Sequence, residues 1–307
     1  MKKSVFMMLF CTLAGYLPTS FAVESYKATK GGSEFIITGI THEPRDDIWP
    51  PSQALLPAFS RANKVFVELD ITNKEQLQAL EKESVFAGKS AIKNYLSENE
   101  MQMLFKFASE NISFFKMPIK NFSEVHICMI FPLITPSNKQ VKNATNSLEF
   151  KKQVPSYEAF FLSHAKRLKK EIVSLEVNGA LSTCEGIAQV DLRNLLLKPI
   201  LLANDDEKLN IFSKNKKLMS DAFRDGKGQE HFDFFRQSIS FDLEYWHAYL
   251  LWLEKRNANM VARLNSYINQ SIDKETFFVL VGSLHLYGEK GILELLKGRG
   301  FSIEKFQ

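Results

Sequence analysis

The sequence predicts a single α/β domain, a central sheet with helices packed on it. Three observations predict this. From about residue 34, short apolar runs rich in β-branched and aromatic residues alternate with longer amphipathic stretches, the pattern of layered strands and helices. Hydrophobic content of 45% and charged content of 24% over 307 residues suit one large core. The first and last strong apolar runs, "EFIITGI" and "FFVLVGSL", also end alike. Each leads into Gly-x-x-His, Gly39 to His42 and Gly282 to His285, as if the two ends of the chain closed one sheet.

The elements follow in order. "MKKSVFMMLFCTLAGYLPTSFA" has a basic start, an apolar stretch from Val5 to about Tyr16, and small residues at Ser20 and Ala22. This is the layout of a secretory signal peptide over residues 1–22, cut after Ala22. Its apolar core is shorter than the roughly 20 residues that span a bilayer, and Pro18 interrupts it. The mature domain, 23–307, is therefore expected to be exported, periplasmic or secreted, with no stable membrane span. "EFIITGI", "KVFVELD", "VHICMIFPL", "EIVSLE" and "FFVLVGSL" read as strands. "PSQALLPAFSRA", "NKEQLQALEKESVFA", "SENEMQMLFKFASEN" and "PSYEAFFLSHAKRLKKE" read as helices. Residues 137–152 are polar and aperiodic, a surface loop. Residues 190–270 read as mostly helical. Their strongest helix carries Trp246, Leu250, Leu253, Met260, Leu264 and Tyr267 on one stripe. No repeat or domain boundary is visible.

Charge and cysteine content narrow the function. The formal net charge is +4, and Lys2 and Lys3 leave with the signal, so the mature chain carries +2. That is too weak a field to argue for nucleic acid. Cys128 and Cys184 remain after Cys11 is removed. In an exported protein they are open to pairing and equally open to being buried thiols. No Cys-x-x-Cys is present, so a thiolate zinc site is not expected. Gly-x-Ser-x-Gly and phosphate-loop motifs are absent too.

The candidate chemistry gathers at strand ends. Composition gives about 0.3 Gly-x-x-His matches by chance, so two that each close an apolar run ask for a common cause. A strand ending in Gly turns sharply or admits another backbone closely. The next polar side chain then stands at the carboxyl edge of the sheet, where α/β folds bind ligands. His42 and His285 there can be metal ligands or general bases. Glu68 shares a strand face with Phe66 and Asp70 and interrupts an apolar run. An ordinary salt bridge would satisfy it, as would a metal or catalytic role beside two histidines. Glu176 repeats this placement at the end of "EIVSLE". On the long helix, Asn257 falls on the apolar stripe between Leu253 and Met260 and needs a partner, and Arg256 flanks it. A helix-to-helix hydrogen bond and a substrate or oxyanion contact are both open. His126 reads as a core histidine, while His164, His231 and His247 lie in predicted helices without the partner of a His-x-x-x-His zinc motif.

These motifs, in this order, resemble the TraB/GumN family, which includes the TIKI proteins. The resemblance rests on "IITGITHEP", "FSRANKVFVELD", "SLE", "EKRNANMVARL" and "VLVGSLHLYGEKGILELLKGRGFSIEKF", the last being the most specific. Val177 follows Glu176 where many members carry Thr, and the segments 75–165 and 200–240 match no family pattern. The resemblance implies a fold related to erythromycin esterase and the haem-binding ChaN proteins, with helical insertions. It implies a metal-dependent peptidase acting on a peptide or protein, with His42, His285 and Glu68 as ligands to a divalent ion. Imidazole and carboxylate donors suit Mn²⁺, Co²⁺ or Zn²⁺. Glu68 and Glu176 are the expected proton acceptors, and Arg256 with Asn257 the expected stabilisers of developing charge. The alternatives are a non-catalytic binder of peptide or haem and a metal-free esterase-type hydrolase. Oligomeric state is not legible.

Overall fold

A computed structural model describes residues 24–42, 45–70, 72–85, 89, 91–111, 122–123, 127, 154–176, 187–202, 205–240, 242–270 and 274–306. The expected signal peptide, the polar loop 137–152, His126, Cys128 and Cys184 lie outside them. So does the predicted strand 125–133, apart from Ile127, which is buried and helical rather than extended.

Six strands form one mixed sheet: β1 (Ser25–Lys30), β2 (Ser33–Ile40), β3 (Lys64–Val67), β4 (Glu171–Ser174), β5 (Thr276–Gly282) and β6 (Ser302–Lys305), in the order β4-β3-β5-β2-β1-β6. The first four of that order run parallel, and β1 and β6 complete the sheet with antiparallel pairings. β2 and β5 are neighbours, with Gly39 opposite Val281 and Ile40 opposite Gly282. The two ends of the chain therefore do close one sheet, as their matching motifs predict. Buried on both faces, these central strands read as continuous apolar runs. β1 and β6 are more exposed and carry Lys and Glu, which is why their apolar signal is weak.

Helices cover both faces. On one, Ile36, Val65, Val67, Phe278 and Leu280 pack against α1 (Leu55–Arg61) and α4 (Tyr157–Arg167). On the other, Phe35, Phe66, Phe277, Val279 and Val281 pack against α5 (Gln189–Leu202), α7 (Gly228–Ile239), α8 (Leu243–Gln270) and α9 (Ile292–Lys297). Among the described residues the remaining α-helices are α2 (Lys74–Val85), α3 (Glu98–Asn111) and α6 (Asp206–Arg224). Phe35, Phe66 and Phe277 meet ring to ring at 5.1 to 6.0 Å between centroids. Truncating one of these fully buried rings to Ala should cost about 3–5 kcal/mol.

Two expectations change. β3 stops at Val67, so Glu68 and Asp70 do not share a strand face with Phe66. The chain turns there: the backbone N–H of Asp70 donates to Ser174 Oγ at 2.9 Å. The first half of α8 is also rotated by about one residue. Tyr245, Ala248 and Trp252 are buried there, whereas Trp246 and Leu250 are only partly so. The predicted stripe holds from Leu253 through Met260 and Leu264.

Candidate functional site

Because β4, β3, β5 and β2 are parallel, their carboxyl ends share one edge. Each end delivers one candidate side chain: Glu176, Glu68, His285 and His42 in that order across the sheet. Backbone pairing carries on past β3 and β4, with Glu176 N–H donating to Glu68 O at 2.9 Å. That bond sets the two glutamates side by side.

Glu68 is the centre. Its Oε1 accepts from Gly282 N–H at 2.5 Å and faces His42 Nε2 at 3.6 Å. Its Oε2 accepts from Arg256 Nη2 at 2.6 Å and faces His285 Nε2 at 3.7 Å. Both Gly-x-x-His segments thus present Nε2 to opposite oxygens of one buried carboxylate. Arg256 Nε donates to Glu176 Oε1 at 2.5 Å, and its guanidinium stands 4.4 Å from the centre of the Trp252 ring. Arg256 is therefore a clamp between two carboxylates. Asn257 faces the closing segment: its Oδ1 accepts from His285 Nδ1 at 2.6 Å and its Nδ2 donates to Lys290 O at 2.9 Å. The amide fixes the tautomer, leaving the lone pair on His285 Nε2 turned to Glu68.

Glycine makes room for this. A Cβ on Gly282 would lie 3.1 Å from Glu68 Oε1 and 3.4 Å from His42 Nε2. Its φ is −54°, open to any residue, so space reserves the position and conformation does not. A Cβ on Gly39 would lie 2.8 Å from Leu286 Cδ1 and 3.2 Å from Ser283 Cα. There the glycine lets β2 approach the turn that carries His285.

Protonation follows burial and neighbours. Burial opposes the charge on Glu68, but the Arg256 guanidinium and the His42 ring outweigh it and hold the carboxyl well below the usual range. Burial also pushes His285 down to about 3 despite Glu68 beside it. His285 is then neutral near pH 7, so the Arg256 guanidinium carries most of the compensating charge. Burial lowers His42 too, but Glu158 and Glu68 together raise it to about 10. Its side chain is 53% exposed, which makes it the open side of an otherwise buried cluster. Burial raises Glu176 against the pull of Arg256.

Two participants escaped the sequence reading. Glu158, in the first turn of α4, is buried and stands 3.1 Å from His42 Nδ1. The sequence signal was a carboxylate beside the apolar face of that helix. His231 closes a third Gly-x-x-His, Gly228 to His231, but this one opens a helix. His231 is buried, its Nδ1 bonds to Met219 O at 2.8 Å, and its Nε2 bonds to Ser283 Oγ at 2.8 Å. It thus braces the closing motif from behind. His164 packs on Phe160, and His247 is exposed.

The donor set fits a divalent ion. Three buried carboxylates, Glu68, Glu158 and Glu176, surround one buried guanidinium, and an ion held by both imidazoles would displace the proton that Glu158 and Glu68 keep on His42. Donors about 2.1 Å from a tetrahedral ion stand about 3.4 Å apart, close to the 3.6 and 3.7 Å between Glu68 and the two Nε2 atoms. Among the described residues no trio of His, Cys, Asp or Glu already stands ready to hold an ion.

No curated protein and no solved structure matches the chain. The family model for the TraB/PrgY/gumN family matches residues 25–305, a span that includes both strand-end Gly-x-x-His segments, both arginine-bound glutamates and the Arg256–Asn257 pair. The chain belongs to the TraB/PrgY/gumN family.

Proposed function

We propose that this protein is an exported, metal-dependent hydrolase that cleaves an amide bond in a peptide or protein. One observation carries the reading: two imidazole Nε2 atoms face the two oxygens of one buried carboxylate. At His285 a lone pair opposes the carboxylate and calls for a cation between them, and at His42 the same ion would take the place of the proton that Glu158 and Glu68 hold on the ring. His42, His285 and Glu68 would hold Mn²⁺, Co²⁺ or Zn²⁺. When bound, such an ion supplies a Lewis acid that acidifies water and polarises a carbonyl.

The chain's own residues divide the remaining work. Asn257 keeps the proton of His285 on Nδ1. Arg256 fixes both glutamates and offsets their charge, so they do not swing into solvent. Glu176 has a raised carboxyl, which suits a group that takes a proton from water and passes it to a leaving amine. A substrate must enter past His42, the exposed member of the set. No helix among the described residues is long and apolar enough to cross a membrane, which is compatible with release after export.

Elemental analysis of the purified protein, with peptide-library cleavage before and after chelation, tests this. Stoichiometric metal and chelator-sensitive cleavage are the expected result. Turnover that survives thorough chelation would replace the metal reading with metal-free hydrolysis. Haem uptake without cleavage would replace it with sequestration.

A further inference from the structure

We infer that Glu158 is the positioning carboxylate of His42, gripping the Nδ1 side of the ring so that Nε2 is presented to Glu68. His42 lies two residues beyond the end of β2 and its side chain is 53% exposed. Burial alone does not fix such a ring. Glu158 is 5% exposed, and among the described residues its one ionic partner is His42, at 3.1 Å. A buried carboxylate is costly unless paired, so the contact constrains both groups.

The helix that carries Glu158 is anchored to hold it there. Ser156 caps α4 by accepting from Ala159 N–H, and a carboxylate in a helix's first turn is favoured by the helix dipole. The preceding residue, Tyr157, donates its hydroxyl to Ile48 O at 2.8 Å. Consecutive residues of α4 therefore hold the chain on both sides of positions 43–47: Glu158 before them through His42, Tyr157 after them through Ile48. Trp49 packs edge-on to Tyr157 and Phe160 on the same surface. His285, by contrast, is buried and held at Nδ1 by the neutral amide of Asn257. The two histidines thus have different supports, a carboxylate for the exposed ring and an amide for the buried one. A carboxylate at the outer nitrogen orients a ligating imidazole and makes it a stronger donor.

The purpose assigned to this grip rests on the metal-assisted reading above, whereas the grip itself does not. The test uses the mature chain as wild type, Glu158→Gln and Glu158→Ala. Zn²⁺ titrated into metal-stripped protein should bind about 10–100-fold more weakly to Glu158→Ala, with Glu158→Gln between the two. Metal-free samples with ¹⁵N-labelled histidine give a second readout. A hydrogen-bonded Nδ1–H of His42 should appear in wild type and vanish in Glu158→Ala, while the Nδ1–H of His285 persists. If wild type binds no Zn²⁺ yet the His42 signal depends on Glu158, the metal reading fails and the positioning role stands. If the His42 signal survives in Glu158→Ala, or if only the melting temperature falls, the inference is overturned.

Discussion

Asn257 Oδ1 accepts from Nδ1 of His285 at 2.6 Å, and this bond decides which nitrogen of the buried ring faces Glu68. Asn257→Ala would strand the ring N–H and also the Lys290 carbonyl, which accepts from the same amide. The buried ring N–H left unsatisfied costs about 1–3 kcal/mol, while the carbonyl of the exposed Lys290 can turn to water. The variant should melt earlier and bind divalent metal more weakly. Asn257→Asp restores an acceptor for His285 and loses the donor to Lys290, so it should recover metal binding before it recovers stability. Paired melting curves and metal titrations separate the two effects.

The strand-end logic was legible because strand ends announce themselves: an apolar run stops, and a glycine and a titratable group follow. His42, Glu68, Glu176 and His285 are legible that way, Asn257 as a polar residue on an apolar stripe, and Arg256 as its flanking neighbour. Glu158 was hidden because a Glu in a helix's first turn is ordinary for local reasons. Only the tertiary approach of α4 to His42 makes it special. β1 was missed because a partly exposed antiparallel strand with two lysines has little apolar signal. The exact face of α8 was missed because Tyr245, Ala248 and Trp252 compete with an equally apolar neighbouring stripe.

Arg256 offers a sharper test of what holds the cluster together. Its Nε and Nη2 are both spent on carboxylates. Arg256→Met leaves Glu68 and Glu176 buried without their cation, and breaking a buried pair in this way costs about 3–5 kcal/mol. Arg256→Met combined with Glu176→Gln removes one of the stranded charges and should be less destabilised than Arg256→Met alone. Chemical denaturation of the single and double variants gives the coupling. If the effects simply add, Arg256 is not the clamp described here.

Stability of the metal-free protein should peak near pH 6.5, with the two histidines responsible for opposite limbs. His42 is raised to about 10 when folded, from an ordinary 6.5. Its contribution is fully present below 6.5 and is lost as pH rises towards 10. His285 is lowered to about 3. Its contribution is present above 6.5 and is lost as pH falls towards 3. For the buried His285 each unmatched proton changes stability by about 1.4 kcal/mol per pH unit, whereas solvent screens the half-exposed His42 and makes its limb shallower. His42→Ala should flatten the alkaline limb, and His285→Gln the acid limb down to the range where carboxylates titrate. Melting temperature against pH for the three proteins decides this. An unchanged alkaline limb in His42→Ala would show that Glu158 and Glu68 do not hold a proton on that ring.

The two glycines that begin the motifs should respond differently to an added methyl group. Gly39 sits inside β2, where an added methyl would meet Leu286 Cδ1 at 2.8 Å and the Ser283 backbone at 3.2 Å. Leu286 is buried and cannot swing into solvent. Gly39→Ala should therefore cost about 1–3 kcal/mol through overpacking. Gly282 faces the functional groups themselves: its methyl would meet Glu68 Oε1 at 3.1 Å, His42 Nε2 at 3.4 Å and His285 Cδ2 at 3.5 Å. The half-exposed His42 ring can yield by a few tenths of an ångström, whereas Leu286 beside Gly39 cannot, so the fold should suffer less. The space between the two imidazoles and the carboxylate is what closes. Gly282→Ala should thus lose metal affinity and turnover while melting nearer to wild type than Gly39→Ala does. Calorimetric metal titration and thermal melts on both variants check the pair. Equal losses of stability, with metal affinity kept in Gly282→Ala, would mean that both glycines serve packing alone and that the motif does not mark the site.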